Sequence, residues 1–309
     1  MGGFLQLDDL LRGLTEEGQK VSSGFFTVDT RTALEKLSKF QLASPHQYCL
    51  RWLQAAVAGG ARTFNWHSSP SQVSAEMEGF LLDPDQLGHL PTLLLEPQAG
   101  RAEQHLSAGL NAVLKTGAKC ITLRSGNHQA VWKPGSFHIE FKEIGLHGTK
   151  IEMVRFAGFQ DFWKSFRGDL DPEWAMLHHQ GACTPLNMGI QGLPPDRVIP
   201  ELMSLYEARP ASERCFAAED GSPGFRVPPF NRSKNYPRRC KIYVVRRPGP
   251  SKLFPVKDGV LLQARWLAGH TGQVVLADVS HLATDQTGLG LVEDEAYQLL
   301  IKQVSLDLL

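Results

Sequence analysis

Residues 25–61 constrain the fold more than any other part of the chain, because they predict a strand entry, an amphipathic helix, a break at Pro45 and a second helix that leads into a strand. Ser44 suits the N-cap of a helix and Pro45 its first turn, while Gly59-Gly60 is typical of a helix C-terminus. Apolar residues between these ends recur at steps of three and four, the spacing of one buried helix face: Leu50, Leu53, Ala56 and Val57. The run at 62–66 then alternates, which favours a β-strand.

Helical and strand patterns alternate along the rest of the chain. Helices are predicted over residues 4–14, 33–40, 83–95, 102–114, 156–181 and 293–304. Strands are predicted over residues 120–125, 130–132, 137–144, 148–155, 185–190, 241–245 and 273–278. Asp258-Gly259 lies between two apolar runs and predicts a two-residue hairpin turn.

The composition is that of a globular protein. The chain has 309 residues, 42% hydrophobic and 21% charged, which is enough for two domains with their own cores. The formal net charge is zero, so no overall field favours nucleic acid or an acidic membrane. Five cysteines without a C-x-x-C pair, no signal-peptide pattern at the start and no apolar stretch of about 20 residues predict reduced thiols, a cytoplasmic location and no membrane contact.

The predicted helix at 51–61, RWLQAAVAGGA, resembles the first motif of the GHKL (Bergerat-fold) ATPases, the superfamily of heat-shock chaperones, gyrase B, MutL and histidine kinases. That motif reads Glu-Leu-x-x-Asn-Ala-x-Asp-Ala. In this register Arg51 stands at the position of the glutamate that activates water. Ala55 replaces the asparagine that binds Mg²⁺, and Ala58 replaces the aspartate. The resemblance therefore keeps the shape of the motif and lacks its polar groups.

Residues 77–81, MEGFL, are similar to the family's Asp-x-Gly-x-Gly motif, whose aspartate accepts a hydrogen bond from the adenine amino group. Gly79 is kept, Met77 occupies the aspartate position and Leu81 replaces the second glycine. A methionine sulfur is a poor acceptor for that hydrogen bond. The resemblance thus implies an adenine site without its main polar anchor.

Three further segments resemble family features that contact the nucleotide. Gly109-Leu110-Asn111 is similar to the second glycine motif, whose helix N-terminus binds phosphates, and Gly148-Thr149 is similar to the third motif, whose threonine reaches the adenine. The loop after residue 278 resembles a middle-domain loop that carries a basic residue to the γ-phosphate, but it has no lysine or arginine before residue 293. Lys257, upstream, is the candidate for that role.

The resemblance implies an α/β fold: a two-layer sandwich with a Bergerat-like mixed sheet and helices on one face, followed by a smaller transducer-like α/β domain. The domain limits are 25–156 for the Bergerat-like part, 157–180 for a helical bridge and 181–309 for the transducer-like part. Residues 1–24 form either a packed N-terminal helix or an arm exchanged between two subunits.

These replacements predict a degenerate protein with weak or no ATP hydrolysis, which acts as a chaperone-like or scaffolding module for a protein partner. A homodimer is one candidate assembly. No catalytic residue and no metal site are predicted, because Arg51 is no base and Ala55 offers Mg²⁺ no oxygen. ATP is the candidate ligand, and the positions that would contact it are Ala55, Ala58, Met77, Gly79, Gly109, Leu110, Asn111, Thr149 and Lys257.

Two alternatives stay open. In an active Mg²⁺-dependent ATPase, a register shifted by one residue places Gln54 at the asparagine position, but Leu50 then replaces the glutamate. In a nucleic-acid-binding protein, the basic and aromatic segment 232–252 would contact phosphates, although the zero net charge disfavours this. The sequence has no H-E-x-x-H, G-x-S-x-G or Walker A motif, so no metallohydrolase, serine hydrolase or P-loop enzyme is indicated.

Overall fold

The computed structural model describes the whole of the predicted second helix and the strand after it, residues 44–66, and parts of both halves of the chain. The described residues are 19–20, 26–27, 42, 44–69, 71–93, 96, 98–115, 118–133, 136–142, 145–155, 171–190, 212–218, 222–227, 239–285 and 287–307. The predicted helix at 33–40 lies outside them. So does the predicted N-terminal arm, apart from Gln19–Lys20, which pairs with Phe26–Thr27.

Thirteen strands, five α-helices and one short 3₁₀ helix are described. The strands are β1 (Gln19–Lys20), β2 (Phe26–Thr27), β3 (Thr63–Ser68), β4 (Gln72–Glu78), β5 (Cys120–Ser125), β6 (His128–Lys133), β7 (Ser136–Phe141), β8 (Gly148–Val154), β9 (Asn187–Ile190), β10 (Ser212–Ala217), β11 (Cys240–Lys257), β12 (Val260–Leu261) and β13 (Arg265–Asp278). The α-helices are α1 (Tyr48–Ala58), α2 (Pro84–His89), α3 (Arg101–Lys115), α4 (Pro172–Gln180) and α5 (Glu295–Asp307). The prediction of an α/β protein is confirmed.

The larger sheet has seven strands in the order β7-β6-β5-β8-β4-β3-β9. All neighbours are antiparallel except β9, which runs parallel to β3 with Phe64 opposite Met188. Side chains alternate between a buried and a more exposed face, as in β4, where Val73, Ala75 and Met77 are buried. The sheet therefore presents one apolar face on which helices can pack.

Helix α1 lies in the centre of the first core and packs against α3. Nearly all of its side chains are buried, and Trp52 contacts both the Tyr48 ring and the strand residue Trp66. On α3, a Cβ added at Gly109 would lie 2.5 Å from Trp52, so glycine lets the two helices approach closely. The predicted end of α1 at Gly59 is confirmed, whereas Ser44 caps a short 3₁₀ turn, Pro45–Gln47, that leads into α1.

The second sheet contains β10, β11, β12 and β13. Ile242 lies opposite Ala277 and Arg246 opposite Gln273, whereas Leu253 lies opposite Val275. Along the first part of β11 the paired β13 residues decrease in number, so the two strands run antiparallel there. Along the second part they increase in number, so that part of β11 runs parallel to β13. Helix α5 covers one face of this sheet and shares its core through Tyr297, Leu300 and Val304.

Two cysteines of the second sheet form a disulfide, between Cys215 on β10 and Cys240 on β11. The prediction that all thiols are reduced is therefore wrong for this pair. Cys49, Cys120 and Cys183 are free. None of the helices in the described ranges combines the length and the apolar character needed to cross a bilayer.

Candidate functional site

Two buried polar side chains project from successive turns of α1. Arg51 and Gln54 are three residues apart, so they lie on the same side of the helix. Arg51 Nη1 donates to Gln54 Oε1 at 2.8 Å and to the Gly288 carbonyl oxygen at 3.4 Å. Gly288 has a φ of 66°, and any Cβ at this position would collide with the guanidinium, so a glycine is required there.

Burial lowers the pKa of Arg51 to about 10, and the negative charges of Asp258 and Asp285 oppose that shift. The guanidinium therefore stays protonated at neutral pH. Because a protonated guanidinium cannot accept a proton, Arg51 cannot act as the general base that the glutamate provides in the GHKL ATPases.

The hairpin between β11 and β12 brings two more charged residues to α1. Asp258 (φ 46°) and Gly259 (φ 76°) form its two-residue turn, which confirms the predicted hairpin. Gln54 Nε2 donates to the Lys257 carbonyl oxygen at 3.3 Å, and a Cβ added at Gly259 would lie 2.9 Å from Val57. The turn is thus packed directly on the first-motif helix.

Asp258 is fully buried and is the acceptor at the centre of the site. Its Oδ2 lies 2.9 Å from His105 Nε2, and its Oδ1 lies 3.5 Å from Arg101 Nη2. The Asp258 backbone N–H donates to Ser280 Oγ at 2.9 Å. Burial acts to raise the pKa of this carboxyl, but the hydrogen bond from His105 and the charges of Arg101 and Lys257 outweigh burial and hold the pKa below its usual value.

His105 is neutral in this environment. Burial is the largest cause that lowers its pKa, to about 4, and the charge of Arg51 adds to it. The neutral ring can donate Nε2–H to Asp258, while Nδ1 has no hydrogen-bond partner among the described residues. Arg51 Nε and Asp258 Oδ1 likewise have none within the described part of the chain.

Lys257 completes the group, which we call the junction cluster: Arg51, Gln54, His105, Lys257 and Asp258. The Lys257 ammonium donates to the carbonyl oxygens of Leu282 and Ser280, and burial lowers its pKa. The junction cluster joins α1 and α3 to the β11–β12 hairpin and to the loop after β13. It holds more positive than negative side chains, and it connects the two halves of the chain.

Three residues predicted for the adenine site do come together. Met77 lies directly opposite Thr149 on neighbouring strands, and the Gly79 N–H donates to the His147 carbonyl oxygen at 2.9 Å. Gly79 has a φ of 90°, which favours glycine. Met77 is packed in the core, and the Thr149 hydroxyl donates to the Phe80 carbonyl oxygen at 2.8 Å. The threonine hydroxyl is therefore already engaged within the protein.

The predicted phosphate contacts lie in the middle of α3 rather than at its N-terminus. Gly109 faces Trp52, and Leu110 is buried in the core. Asn111 Nδ2 donates to the carbonyl oxygens of Pro91 and Ser107. In a helix interior the backbone N–H groups bond within the helix. In the described part of α3 these three residues thus serve packing and local hydrogen bonds.

The two remaining candidates on α1 have no polar side chain. Ala55 is buried in the core and Ala58 is half-buried. Gln54, which the shifted register places at the asparagine position, hydrogen-bonds through its side chain to the Arg51 guanidinium and to the Lys257 carbonyl oxygen. Within the described residues no group of three His, Cys, Asp or Glu side chains lies together as a metal site would require.

Sequence reasoning missed the roles of His105 and Asp258. A signal for His105 exists, because it lies on the apolar face of α3 beside Ala102 and Leu106, where a histidine needs a partner. Asp258 was recognised as a turn residue only, and its partner is 153 positions away.

A second buried acid joins α4 to α1. Glu173 Oε1 accepts hydrogen bonds from the Tyr48 hydroxyl at 2.9 Å and from Arg155 Nη2 at 2.6 Å, and it lies 3.0 Å from His46 Nδ1. Burial raises the pKa of Glu173, and the charge of Arg155 acts against that rise. All the described partners of Oε1 are internal, so this group has a structural role in fixing α4.

The comparisons with family models and with curated protein sequences identify no relative. No protein-family model matches the chain, and no curated protein sequence matches it significantly.

Proposed function

We propose that the chain is a degenerate relative of the GHKL ATPases, which acts as a chaperone-like or scaffolding module for a protein partner and does not hydrolyse ATP. The observation that carries this proposal is the state of Arg51. Its buried guanidinium holds its proton and is bonded to Gln54 and to the Gly288 carbonyl. The position that should supply a base therefore supplies a cation that links the two halves of the chain.

No other member of the junction cluster replaces the missing base. An effective general base has a pKa near the operating pH, whereas the pKa of His105 is about 4. Asp258 is buried against His105 and Arg101, and its pKa is held low. Hydrolysis by the family mechanism would need a proton acceptor beside the attacking water, and these groups are poor ones.

Nucleotide binding without turnover is the most that the candidate adenine site supports. Met77 offers the adenine amino group no oxygen, and the Thr149 hydroxyl is engaged by Phe80 and lies 2.9 Å from Ser125 Oγ. An unpaired buried donor costs about 1–3 kcal/mol, so a bound adenine would lose a large part of its usual affinity. We therefore propose that the protein acts by binding a protein partner through its surface and not by turning over a nucleotide.

The test combines phosphate release with thermal unfolding of the full chain in ATP, ADP and a non-hydrolysable analogue, each with and without Mg²⁺. We expect no Mg²⁺-dependent turnover. A ligand present at about 100 times its dissociation constant would add about 2.7 kcal/mol of stability, which a thermal shift detects.

Lys257→Ala and Lys302→Ala form the matched pair of variants, because Lys257 is buried in the junction cluster and Lys302 is exposed on α5. Turnover that is lost in Lys257→Ala and kept in Lys302→Ala would overturn the proposal, provided circular dichroism shows that both variants are folded.

A nucleic-acid-binding function is the second candidate, and one observation favours it. Trp266 is 66% exposed on β13, and Lys252 Nζ lies 4.5 Å from the centre of its ring. An exposed aromatic beside a cation can stack on a base while the cation meets a phosphate. Quenching of tryptophan fluorescence by a single-stranded oligonucleotide at low salt, lost in Trp266→Ala, would support it, and no quenching would dismiss it.

A further inference from the structure

Strand β7 lies at one end of the larger sheet, as far as the described strands show. No described strand pairs with its outer side, and its side chains are exposed from His138 to Phe141. Phe141 is 64% exposed and Ile139 38%. A strand edge with unpaired backbone groups and apolar side chains is a template for pairing with another strand.

The hydrogen bonds to β6 show which backbone groups of β7 are free. The Lys142 N–H donates to the Asn127 carbonyl oxygen at 2.8 Å, and the register pairs Gln129 with Glu140. Hydrogen-bonded residues alternate along an antiparallel strand, so Glu140 also bonds to β6. Ile139 and Phe141 therefore direct their N–H and C=O groups away from the sheet.

A second copy of β7 matches this edge because the strand is self-complementary. In the sequence 137–141, FHIEF, apolar residues flank Ile139 symmetrically, and the polar residues between them are one histidine and one glutamate. Antiparallel pairing centred on Ile139 places each phenylalanine opposite a phenylalanine and each carboxylate opposite an imidazole. Aromatic pairs and complementary polar pairs are the cross-strand contacts that stabilise a sheet.

The charges disfavour the neighbouring register. Pairing centred on Glu140 would set two carboxylates directly opposite each other, which destabilises a strand pair. The Glu140 side chain is also held in place, because Gln129 Nε2 donates to its Oε1 at 2.6 Å. Ile139 is positioned too, since its Cδ1 lies 3.3 Å from where a Cβ at Gly88 of α2 would be.

We infer that the protein forms a homodimer in which two β7 strands pair antiparallel about Ile139, extending the seven-stranded sheet across both copies. This assembly does not depend on nucleotide binding or on the proposed function. The inference rests on the edge of β7 that no described strand covers, on the backbone N–H and C=O groups of Ile139 and Phe141 that point away from the sheet, and on the symmetric order of side chains about Ile139.

The first experiment measures dimer dissociation of the full chain by sedimentation equilibrium. Glu140→Lys places a cation opposite His138 of the second copy and should weaken the dimer about tenfold, or about 1.4 kcal/mol. The double exchange His138→Glu with Glu140→Lys sets a carboxylate opposite an ammonium and should recover most of that loss. Glu96→Lys, an exposed loop residue, is the control with the same change in net charge.

The second experiment tests the register by oxidative cross-linking. Residues at the centre of a hydrogen-bonded antiparallel pair have Cα atoms about 5.5 Å apart, which a disulfide can bridge. Ile139→Cys should therefore give a covalent dimer, while Glu140→Cys and the wild-type protein should not.

A monomer at every concentration tested would overturn the inference. So would a dimer that Glu140→Lys leaves unchanged, as expected for an exchanged N-terminal arm, or a cross-link that forms through position 140 in preference to position 139.

Discussion

Replacing Asp258 with Asn tests whether the junction cluster stabilises the fold. The side chain is fully buried, accepts from His105 Nε2 at 2.9 Å and lies 3.5 Å from Arg101 Nη2. Breaking a buried ion pair by removing one partner costs about 3–5 kcal/mol. Asn keeps a hydrogen-bond acceptor for His105 and tolerates the positive φ, and Arg101 is partly exposed. We therefore expect Asp258→Asn to lower the free energy of unfolding by about 3 kcal/mol, the lower end of this range.

A loss of this size is a large share of the 5–15 kcal/mol that is typical of a folded domain. Urea unfolding followed by circular dichroism measures it as a lower midpoint at an unchanged slope. Glu78→Gln is the matched control, because it removes the same charge from an exposed pair, Arg62–Glu78, at 2.7 Å. That control should cost less than about 1 kcal/mol. Equal losses in the two variants would refute the stabilising role of the junction cluster.

Three further predictions concern other buried groups. The pKa of His105 is about 4 in the folded protein against an ordinary 6.5, so the unfolded chain binds more protons between these values. The free energy of unfolding should therefore rise by about 3 kcal/mol from pH 4 to 6.5, and His105→Gln should flatten that rise in urea titrations; parallel curves would contradict it. Gly109→Ala should destabilise the protein by about 1–3 kcal/mol, because the added Cβ would collide with Trp52. The same change at an exposed helix position stabilises by about 1 kcal/mol, so a higher urea midpoint in this variant would contradict the close helix packing. Glu173→Gln should cost about 2 kcal/mol because Tyr48 and Arg155 lose a charged acceptor, and an unchanged midpoint would show that these contacts contribute nothing.

Local patterns predicted most of the regular structure. The N-cap at Ser44, the helix that ends at Gly59 and the hairpin turn at Asp258 each depend on residues within a few positions of one another. The α2 helix begins where Asp83 predicted it, but it ends at His89, earlier than the apolar pattern that continues to residue 95. Pro91 explains the earlier end, because proline has no N–H to donate and its ring clashes with the carbonyl of the preceding turn, so this boundary could have been predicted from the sequence.

Part of the candidate site could also be predicted from the sequence. Met77 and Thr149 were assigned to one site from their motifs, and the register of β4 and β8 sets them opposite each other. Lys257 was proposed as the basic residue that reaches the γ-phosphate, and in the structure its backbone carbonyl oxygen accepts from Gln54 of α1. Their binding roles stay predictions.

What the sequence determined by itself is therefore most of the helices and strands, with their caps and turns, and the absence of a carboxylate or amide side chain at positions 51, 55 and 77. Only the tertiary structure decided that Arg51, His105 and Asp258 meet in one buried cluster. Such residues lie far apart in the chain, and each is brought to the cluster by the packing of a whole element. Their charges and pKa values depend on the solvent that this packing excludes, so no local pattern of residues could reveal them.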